Sequence, residues 1–257
     1  MPVSPSQALH ALNRISPIKQ SQPDLLIAGA TGALGNAVMQ RLVGTHRFAH
    51  TQVLAREPIG QGMRMVSLLE VAGDITTWPL PAQRSEVAVV MFEPPRMYYE
   101  RERALWTPTP EQLPQLASWL SRCGVQTLAI VLPHAQGSLP ESLKRGLASL
   151  DEQVLASIGF ERLVIVRSAQ KPAALIKTHP LEKLAHWMLS IFQFMVPSSE
   201  QPVRPTKMAQ MVDALLQTAP CGITVLAQEE VWALAQSDGN GLMQAVKTRF
   251  DSAKEIN

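Results

Sequence analysis

The sequence predicts an α/β fold built on a doubly wound, mostly parallel sheet, with a small cap at its C-terminal end. Short apolar runs such as Leu25–Ala28 and Val87–Phe92 have the length and continuity of strands buried on both faces. Amphipathic segments such as Pro110–Arg122 separate these runs, and strands that alternate with helices form parallel sheets. A chain of 257 residues is long enough for one such domain around a single core.

The elements follow one another from residue 24 onward. The first helix begins near Gly32, carries Leu34, Val38 and Leu42 on one face, and ends at Gly44. The predicted strands are Leu25–Ala28, Thr51–Arg56, Met63–Leu68, Val87–Phe92, Thr127–Leu132, Arg162–Arg167 and Gly222–Ala227. The later predicted helices are Pro110–Arg122, Leu139–Ile158, Leu181–Phe194 and Thr206–Leu216. We interpret residues 1–23 as an N-terminal extension and residues 24–257 as one domain, to which residues 168–257 contribute a substrate-side cap.

Composition and charge exclude several classes of function. A net charge of +2, from 23 basic and 21 acidic residues, gives no overall electrostatic case for binding nucleic acid. Cys123 and Cys221 form no metal-binding or disulfide pattern, which is typical of a reducing compartment. Neither a signal peptide nor an apolar stretch long enough for a bilayer is visible. We therefore expect a cytoplasmic protein with no nucleic-acid or membrane partner.

A glycine-rich turn follows the first predicted strand. Its residues Gly29, Thr31, Gly32, Ala33, Leu34 and Gly35 give the spacing GxxGxxG. Glycine lets main-chain N–H groups approach a phosphate and lets the helix pack closely on the strand. The helix that follows directs free N–H groups and its positive dipole end at such an anion. The position after a buried strand and before an amphipathic helix favours a dinucleotide pyrophosphate site. The alternative is a glycine turn that binds nothing.

The end of the second strand indicates which dinucleotide binds. An acidic residue there binds the ribose of NAD, whereas an arginine accommodates the 2′-phosphate of NADP. Arg56 occupies this position and favours NADP. Its neighbour Glu57 leaves NAD open as the less favoured cofactor, and a solvent-facing Arg56 without a ligand is the other alternative.

The segment from Gly29 to Gly35 resembles the glycine motif of the atypical and extended short-chain dehydrogenase/reductase superfamily. It is similar to nitrogen-metabolite-repressor-like and isoflavone-reductase-like NAD(P)-binding proteins. The resemblance extends over most of Asp24–Ala227, including Asp151–Arg167 and Val203–Leu216. It implies a Rossmann-like fold and a bound nicotinamide dinucleotide.

The chain departs from this superfamily at the catalytic pair. The resemblance implies a tyrosine, and a lysine four residues later, on the helix at Leu139–Ile158. The tyrosine exchanges a proton with the substrate, and the lysine lowers its pKa. Lys144 and Ala148 stand near these positions instead, and the two tyrosines of the chain are Tyr98 and Tyr99. The usual Tyr–Lys carbonyl chemistry is therefore not expected.

Histidines provide the remaining candidates for chemistry. His134 follows the fifth strand, where it is placed to act as an acid or base near the nicotinamide, although a structural histidine fits equally well. The serine usual in that region is missing, with Ser138 a distant substitute. His46 and His50 lie beyond the helix end at Gly44 and have no third ligand, so no metal site is predicted.

Two hypotheses follow from these observations. The first is an NADP(H)-binding protein of the atypical short-chain dehydrogenase type with an unidentified reductase activity and an unknown small-molecule substrate. The second is a non-catalytic dinucleotide sensor, or a scaffold that binds a protein partner. The missing Tyr–Lys pair favours the second hypothesis, whereas both require the glycine loop.

Overall fold

The computed structural model describes residues 22–59, 65–132, 152–167, 203–237 and 240–254. These residues form a seven-stranded sheet in the order β3-β2-β1-β4-β5-β6-β7, and every neighbouring pair is parallel. The predicted fold class, a doubly wound parallel sheet, is confirmed. The strands are β1 (Leu25–Ala28), β2 (Thr51–Ala55), β3 (Val66–Glu70), β4 (Val87–Met91), β5 (Thr127–Leu132), β6 (Arg162–Arg167) and β7 (Gly222–Leu226).

Central strands match the predicted bounds more closely than the edge strand β3. The predicted bounds of β1, β5 and β6 are those observed, because pairing on both sides and burial on both faces make each a continuous apolar run. The third strand was predicted at Met63–Leu68, but β3 begins and ends later in the chain, at Val66–Glu70. Among the residues that the structure describes, it pairs only with β2, from Thr51 opposite Val66 onward, so cross-strand register and not hydrophobicity sets its limits.

Helices cover both faces of the sheet, and two short 3-10 helices, Ile75–Thr77 and Pro110–Gln112, lie in the connections. The seven described α-helices are α1 (Gly32–Gly44), α2 (Glu100–Ala104), α3 (Leu113–Arg122), α4 (Glu152–Ser157), α5 (Pro205–Thr218), α6 (Gln228–Ala235) and α7 (Asn240–Lys254). The sequence did not predict α2, α6 or α7. Helix α4 is the described part of the predicted helix Leu139–Ile158, and Leu181–Phe194 lies outside the described residues.

Alternate residues of each strand belong to two separate cores. On one face, α1 and α5 to α7 pack over Ile27, Val89 and Val131. On the other face, α3 and α4 cover Leu26, Val90 and further buried side chains. Burial on both faces explains why the central strands contain almost no polar residue.

The described part of residues 168–257 is continuous with the sheet. Strand β7 pairs in parallel with β6 along Arg162 to Val166, and α5 packs beside α1. Residues 168–202 lie outside the described residues, so the substrate-side cap stays a prediction. None of the described helices combines the length and hydrophobicity that a membrane-spanning helix needs.

A buried aspartate joins α1 to α5. Asp213 is 1% exposed, and its carboxylate accepts hydrogen bonds from the guanidinium groups of Arg41, at 3.0 Å, and Arg47. Gln217 Nε2 donates to the same carboxylate at 3.2 Å. Because α1 begins at the glycine turn, this ion-pair cluster also fixes the direction from which the helix approaches that turn.

Candidate functional site

The glycine loop (Gly29–Gly35) connects β1 to α1 in a tight reversal. Gly29 and Gly32 adopt φ angles of +75° and +69°, which side chains with a Cβ rarely adopt. A Cβ at Gly29 would collide with the Met91 carbonyl oxygen, and one at Gly35 would press on the Gly29 carbonyl oxygen. The first contact brings β1 and β4 together at their carboxyl ends, and the second packs α1 closely against its own strand.

The first-turn N–H groups of α1 bind two carboxylates of the same chain. Gly32 N–H donates to Glu102 Oε2 at 3.0 Å, and Leu34 N–H donates to Glu93 Oε2 at 2.6 Å. The first N–H groups of a helix have no intrahelical acceptor and attract negative charge. The loop therefore acts as an anion site in this structure, and its anions are glutamate side chains.

The two carboxylates differ in their surroundings. Burial raises the pKa of the Glu93 carboxyl above its ordinary value, although the N–H groups of Leu34 and Ala33 act in the opposite direction. Burial works against ionisation of Glu102 as well, but the Arg96 guanidinium and the N–H groups of Arg96 and Gly32 lower its pKa below the ordinary value. Glu102 is thus held as an anion, whereas Glu93 takes up a proton more readily.

Thr31 fixes the loop to the segment that follows β4. Its hydroxyl donates to the Glu93 carbonyl oxygen at 2.5 Å and lies 2.9 Å from the Thr107 hydroxyl. Thr31 is fully buried, so its side chain is committed to these structural contacts. The structure therefore gives Thr31 a positioning role within the loop.

A segment that we call the strap (residues 93–106) crosses the carboxyl ends of β1, β2 and β4. Backbone hydrogen bonds join Arg56 N–H to the Ala104 carbonyl oxygen at 2.7 Å and Trp106 N–H to the Leu54 carbonyl oxygen at 2.9 Å. Gly29 N–H donates to the Trp106 carbonyl oxygen at 3.1 Å. The strap is thereby attached to β2 and to the glycine loop at the same time.

An aromatic cluster holds the C-terminal end of the strap. The Trp106 ring lies 4.9 Å from the Trp78 ring in an edge-on arrangement, and Trp78 stands 5.3 Å from Trp119 in the same way. These three side chains belong to the core on the α3 face of the sheet. The strap therefore has one end buried in the core and one charged region on the glycine loop.

Arg56 and Glu57 lie where the sequence places them, directly after β2. Both side chains are exposed. The Arg56 backbone, in contrast, is bound by the strap through Ala104. The structure thus brings Arg56 to the same edge of the sheet as the glycine loop, with its guanidinium open to solvent.

The candidate catalytic positions fall outside the part of the chain that the structure describes. His134, Ser138, Lys144 and Ala148 lie outside the described residues. Tyr98 and Tyr99 lie on the strap, where Tyr98 is 94% exposed and Arg96 stacks 3.8 Å from the centre of the Tyr99 ring. Neither tyrosine lies on the described helix that precedes β6, which spans Glu152–Ser157.

No protein-family model matches the sequence, and no curated protein matches it. Solved structures do match. The structure of the Bordetella bronchiseptica enzyme WbmG in complex with NAD aligns with a TM-score of 0.50 and 14% identity, covering 86% of this chain and 78% of that one. The fold is of the Rossmann type. The Helicobacter pylori ADP-L-glycero-D-manno-heptose-6-epimerase aligns with a TM-score of 0.46 and 13% identity, covering 84% of this chain and 82% of that one.

At these identities the likeness concerns the fold. It confirms the predicted Rossmann-like fold. In a Rossmann fold the ligand crevice opens outside the carboxyl ends of the strands, where the strand order reverses. That reversal lies between β1 and β4, which is the place occupied by the glycine loop and Glu93.

The sequence did not predict that the side chains of Glu93 and Glu102 bind the N–H groups of the glycine loop. Glu93 gave a partial signal, because an acid that directly follows a buried central strand must lie at the carboxyl edge of a Rossmann sheet. Glu102 gave none, since it lies in a run of mixed charges that predicts a solvated surface.

Other reactive side chains show structural roles. His50 Nε2 lies 2.7 Å from Ser67 Oγ, a pairing that joins the starts of β2 and β3. Burial raises the pKa of the Cys123 thiol to about 12, which keeps it protonated. In the part of the chain that the structure describes, no three metal-ligating side chains come together.

A cavity of about 550 Å³ opens at the amino edge of the sheet, opposite the glycine loop. Its lining mixes Arg47 and Arg162 with Glu86 and Glu161. Arg47 is already paired with Asp213. This balance of charges favours neither an anionic nor a cationic ligand, and we assign none.

Proposed function

We propose that this chain is an NADP(H)-binding protein of the atypical short-chain dehydrogenase type that lacks the usual Tyr–Lys catalytic pair. The observation that carries the proposal is the pair of N–H groups of Gly32 and Leu34, both of which hold anionic oxygens at the start of α1. A dinucleotide pyrophosphate presents oxygens of the same charge and acceptor chemistry. The N–H groups of the glycine loop therefore fit a pyrophosphate once the carboxylates of Glu93 and Glu102 leave them.

The fold supports the same proposal independently of the hydrogen bonds. WbmG, which has this fold, was solved in complex with NAD. Gly29 and Gly35 in the present chain make the close backbone approaches that the dinucleotide-binding turn requires. Bound at this turn, the dinucleotide supplies a hydride donor or acceptor, while Gly32 and Leu34 hold its pyrophosphate.

Arg56 supports NADP(H) over NAD(H). Its guanidinium is exposed at the end of β2, the position from which an arginine accommodates a 2′-phosphate. Glu57 beside it is also exposed and offers an acceptor for a ribose hydroxyl. We assign the preference to NADP(H) because a doubly charged phosphate gains more from a guanidinium than a hydroxyl gains from a carboxylate.

A non-catalytic dinucleotide sensor is the second candidate function. The observation that favours it is the position of Tyr98 and Tyr99, the two tyrosines of the chain, on the strap and not on the helix before β6. In a sensor, dinucleotide binding changes contact with a protein partner without turnover. In a reductase, NADPH is consumed with a carbonyl substrate.

Calorimetric titration with NADPH, NADP and NAD tests the proposal. We expect saturable binding of NADPH and NADP to one site and weaker binding of NAD. Ala33 is an exposed residue in the first turn of α1, and Ala33→Glu places a carboxylate there that favours the helix but repels pyrophosphate. We expect this variant to weaken NADPH binding at least about tenfold. Gln40→Glu adds the same charge near the other end of α1 and is the matched control.

Two results separate the possible outcomes of this titration. Failure of all three nucleotides to bind contradicts the proposal and indicates a fold whose nucleotide site has decayed. If Ala33→Glu leaves the affinity for NADPH unchanged, the nucleotide binds at a place other than the glycine loop. Consumption of NADPH with small carbonyl substrates then selects a reductase over a sensor.

A further inference from the structure

The strap supplies negative charge at the place where the proposed ligand must supply it. Glu102 accepts from Gly32 N–H and Glu93 accepts from Leu34 N–H, both in the first turn of α1. Helix geometry provides no backbone acceptor for these donors. Each carboxylate therefore satisfies an N–H group that a pyrophosphate would otherwise bind.

Contacts within the strap keep Glu102 in this position. The Arg96 guanidinium forms an ion pair with the Glu102 carboxylate, and the Arg96 N–H donates to Glu102 Oε2 at 3.0 Å. Glu102 is 5% exposed, so this charge is almost completely removed from water. Arg96 and the loop together compensate a buried anion that would otherwise be costly.

We propose that the strap is an internal competitor of the dinucleotide: Glu93 and Glu102 occupy the pyrophosphate donors of the glycine loop, and the nucleotide binds only when the strap moves off them. This inference rests on the proposed function, because it requires a dinucleotide that binds at the loop. Two states follow, one with the strap on the loop and one with the nucleotide there.

The two states exclude each other for electrostatic and geometric reasons. A pyrophosphate beside two carboxylates brings like charges into contact in a poorly solvated site, which is strongly unfavourable. The side chain of Glu93 also fills the space over Gly32, since a Cβ there would collide with it. The apparent affinity for dinucleotide is therefore reduced in proportion to the fraction of molecules in which the loop is open.

The strap variants Glu93→Gln, Glu102→Gln and the double variant test this competition. Each retains the size of the side chain but removes charge from the loop. We expect NADPH to bind about tenfold or more tightly to the double variant than to the wild-type protein. Glu100→Gln is the matched control, because it makes the same change on the same short helix at a side chain that is 92% exposed.

Amide hydrogen exchange of the nucleotide-free protein tests the contact itself. The N–H groups of Gly32 and Leu34 donate to the two carboxylates, so we expect slow exchange in the wild-type protein and faster exchange in Glu93→Ala/Glu102→Ala. The Gly35 N–H donates to the Thr31 carbonyl oxygen at 3.1 Å and should remain protected in both. Loss of Gly35 protection would reveal a general loosening of the loop.

Binding and hydrogen exchange together distinguish failure of the competition from failure of the proposed function. Tighter NADPH binding by the glutamine variants, together with carboxylate-dependent protection, supports the competition. Equal binding by the wild-type and double variants overturns it and leaves the proposed function intact. If neither the wild-type protein nor the double glutamine variant binds any dinucleotide, while the Gly32 and Leu34 N–H groups stay protected from exchange, the strap closes the loop permanently. In that case both the competition and the proposed function are wrong.

Discussion

Glu93 Oε2 lies 2.6 Å from the backbone nitrogen of Leu34, so a carboxylate from the end of β4 binds the first turn of the helix that follows β1. These two residues come from the two strands that flank the reversal of strand order, the usual position of a Rossmann ligand. The contact explains why the glycine loop can be formed and satisfied without a bound nucleotide. It also makes the loop sensitive to the charge of one side chain.

The close approach at Gly29 should dominate the stability of this region. Gly29 and Gly73 have nearly the same φ, +75° and +71°, but a Cβ at Gly29 meets the Met91 carbonyl oxygen whereas one at Gly73 meets nothing within 4 Å. We expect Gly73→Ala to cost about 1–2 kcal/mol of unfolding free energy through backbone strain alone. Gly29→Ala should cost about 3 kcal/mol or more, because overpacking is added to that strain.

Denaturant unfolding of both variants measures this difference. Equal destabilisation by the two alanines would mean that β1 and β4 do not approach as closely at Gly29 as the structure shows.

Stability should depend on pH in opposite ways through Glu93 and Glu102. Burial raises the pKa of Glu93, so the folded protein binds more protons than the unfolded chain between the ordinary and the raised pKa. The free energy of unfolding therefore falls as pH rises through that interval. Glu93→Gln removes this loss, and we expect its stability relative to the wild-type protein to increase from acidic to neutral pH.

Glu102 provides the comparison of opposite sign. Its pKa is lowered, with Arg96 as the ion-pair partner, so its stabilising contribution is present above the ordinary glutamate pKa and is lost as pH falls through the lowered value. Glu102→Gln should therefore cost stability at neutral pH and cost less in acid. Thermal unfolding across this pH range measures both, and parallel pH profiles for the two variants would contradict the assignment.

The cluster at Asp213 should stabilise the packing of α1 against α5. Asp213→Ala removes a buried carboxylate that binds Arg41, Arg47 and Gln217. We expect a loss of about 2–3 kcal/mol, below the full cost of a broken buried pair, because both arginines retain access to solvent. Chemical denaturation measures the loss.

An exposed ion pair gives the control for this cluster. Glu100 and Arg103 lie 3.8 Å apart on the surface, so Glu100→Gln should change stability by less than about 0.5 kcal/mol. A similarly small effect at Asp213 would show that the buried cluster does not hold the two helices together.

Arg56 should determine the preference between the two nicotinamide dinucleotides. We expect Arg56→Ala to weaken NADPH binding about tenfold or more while leaving NADH binding nearly unchanged, since charge-assisted hydrogen bonds to a phosphate are lost. Arg122→Ala is the control, because this exposed arginine ends α3 just before β5 and therefore lies near the amino edge of the sheet. Equal losses for NADPH and NADH would contradict a role in binding the 2′-phosphate.

Hydrophobic pattern alone determined most of the sheet. The runs Leu25–Ala28 and Thr127–Leu132 are buried throughout, and a strand of that kind has no other stable environment. Short surface helices such as α2 were not predicted, because Glu100–Ala104 has only one buried side chain and no apolar periodicity. Its helical turn depends on contacts with the rest of the protein.

The glycine loop could be located from the sequence, but not what binds it. Glu93 and Glu102 lie 59 and 70 residues beyond Leu34 and Gly32, and only the tertiary fold brings these pairs together. A glutamate in a charged run has no local signature that distinguishes a solvated side chain from a buried acceptor. The contacts of these two carboxylates with the loop were therefore visible only in the structure.

The most direct test of dinucleotide binding at the glycine loop is a crystal structure of the protein grown with NADPH. We expect pyrophosphate oxygens within hydrogen-bonding distance of the Gly32 and Leu34 N–H groups, the 2′-phosphate beside Arg56, and Glu93 and Glu102 displaced from the loop. A structure in which both carboxylates remain on those N–H groups, with the nucleotide absent or bound elsewhere, would contradict both the site and the competition.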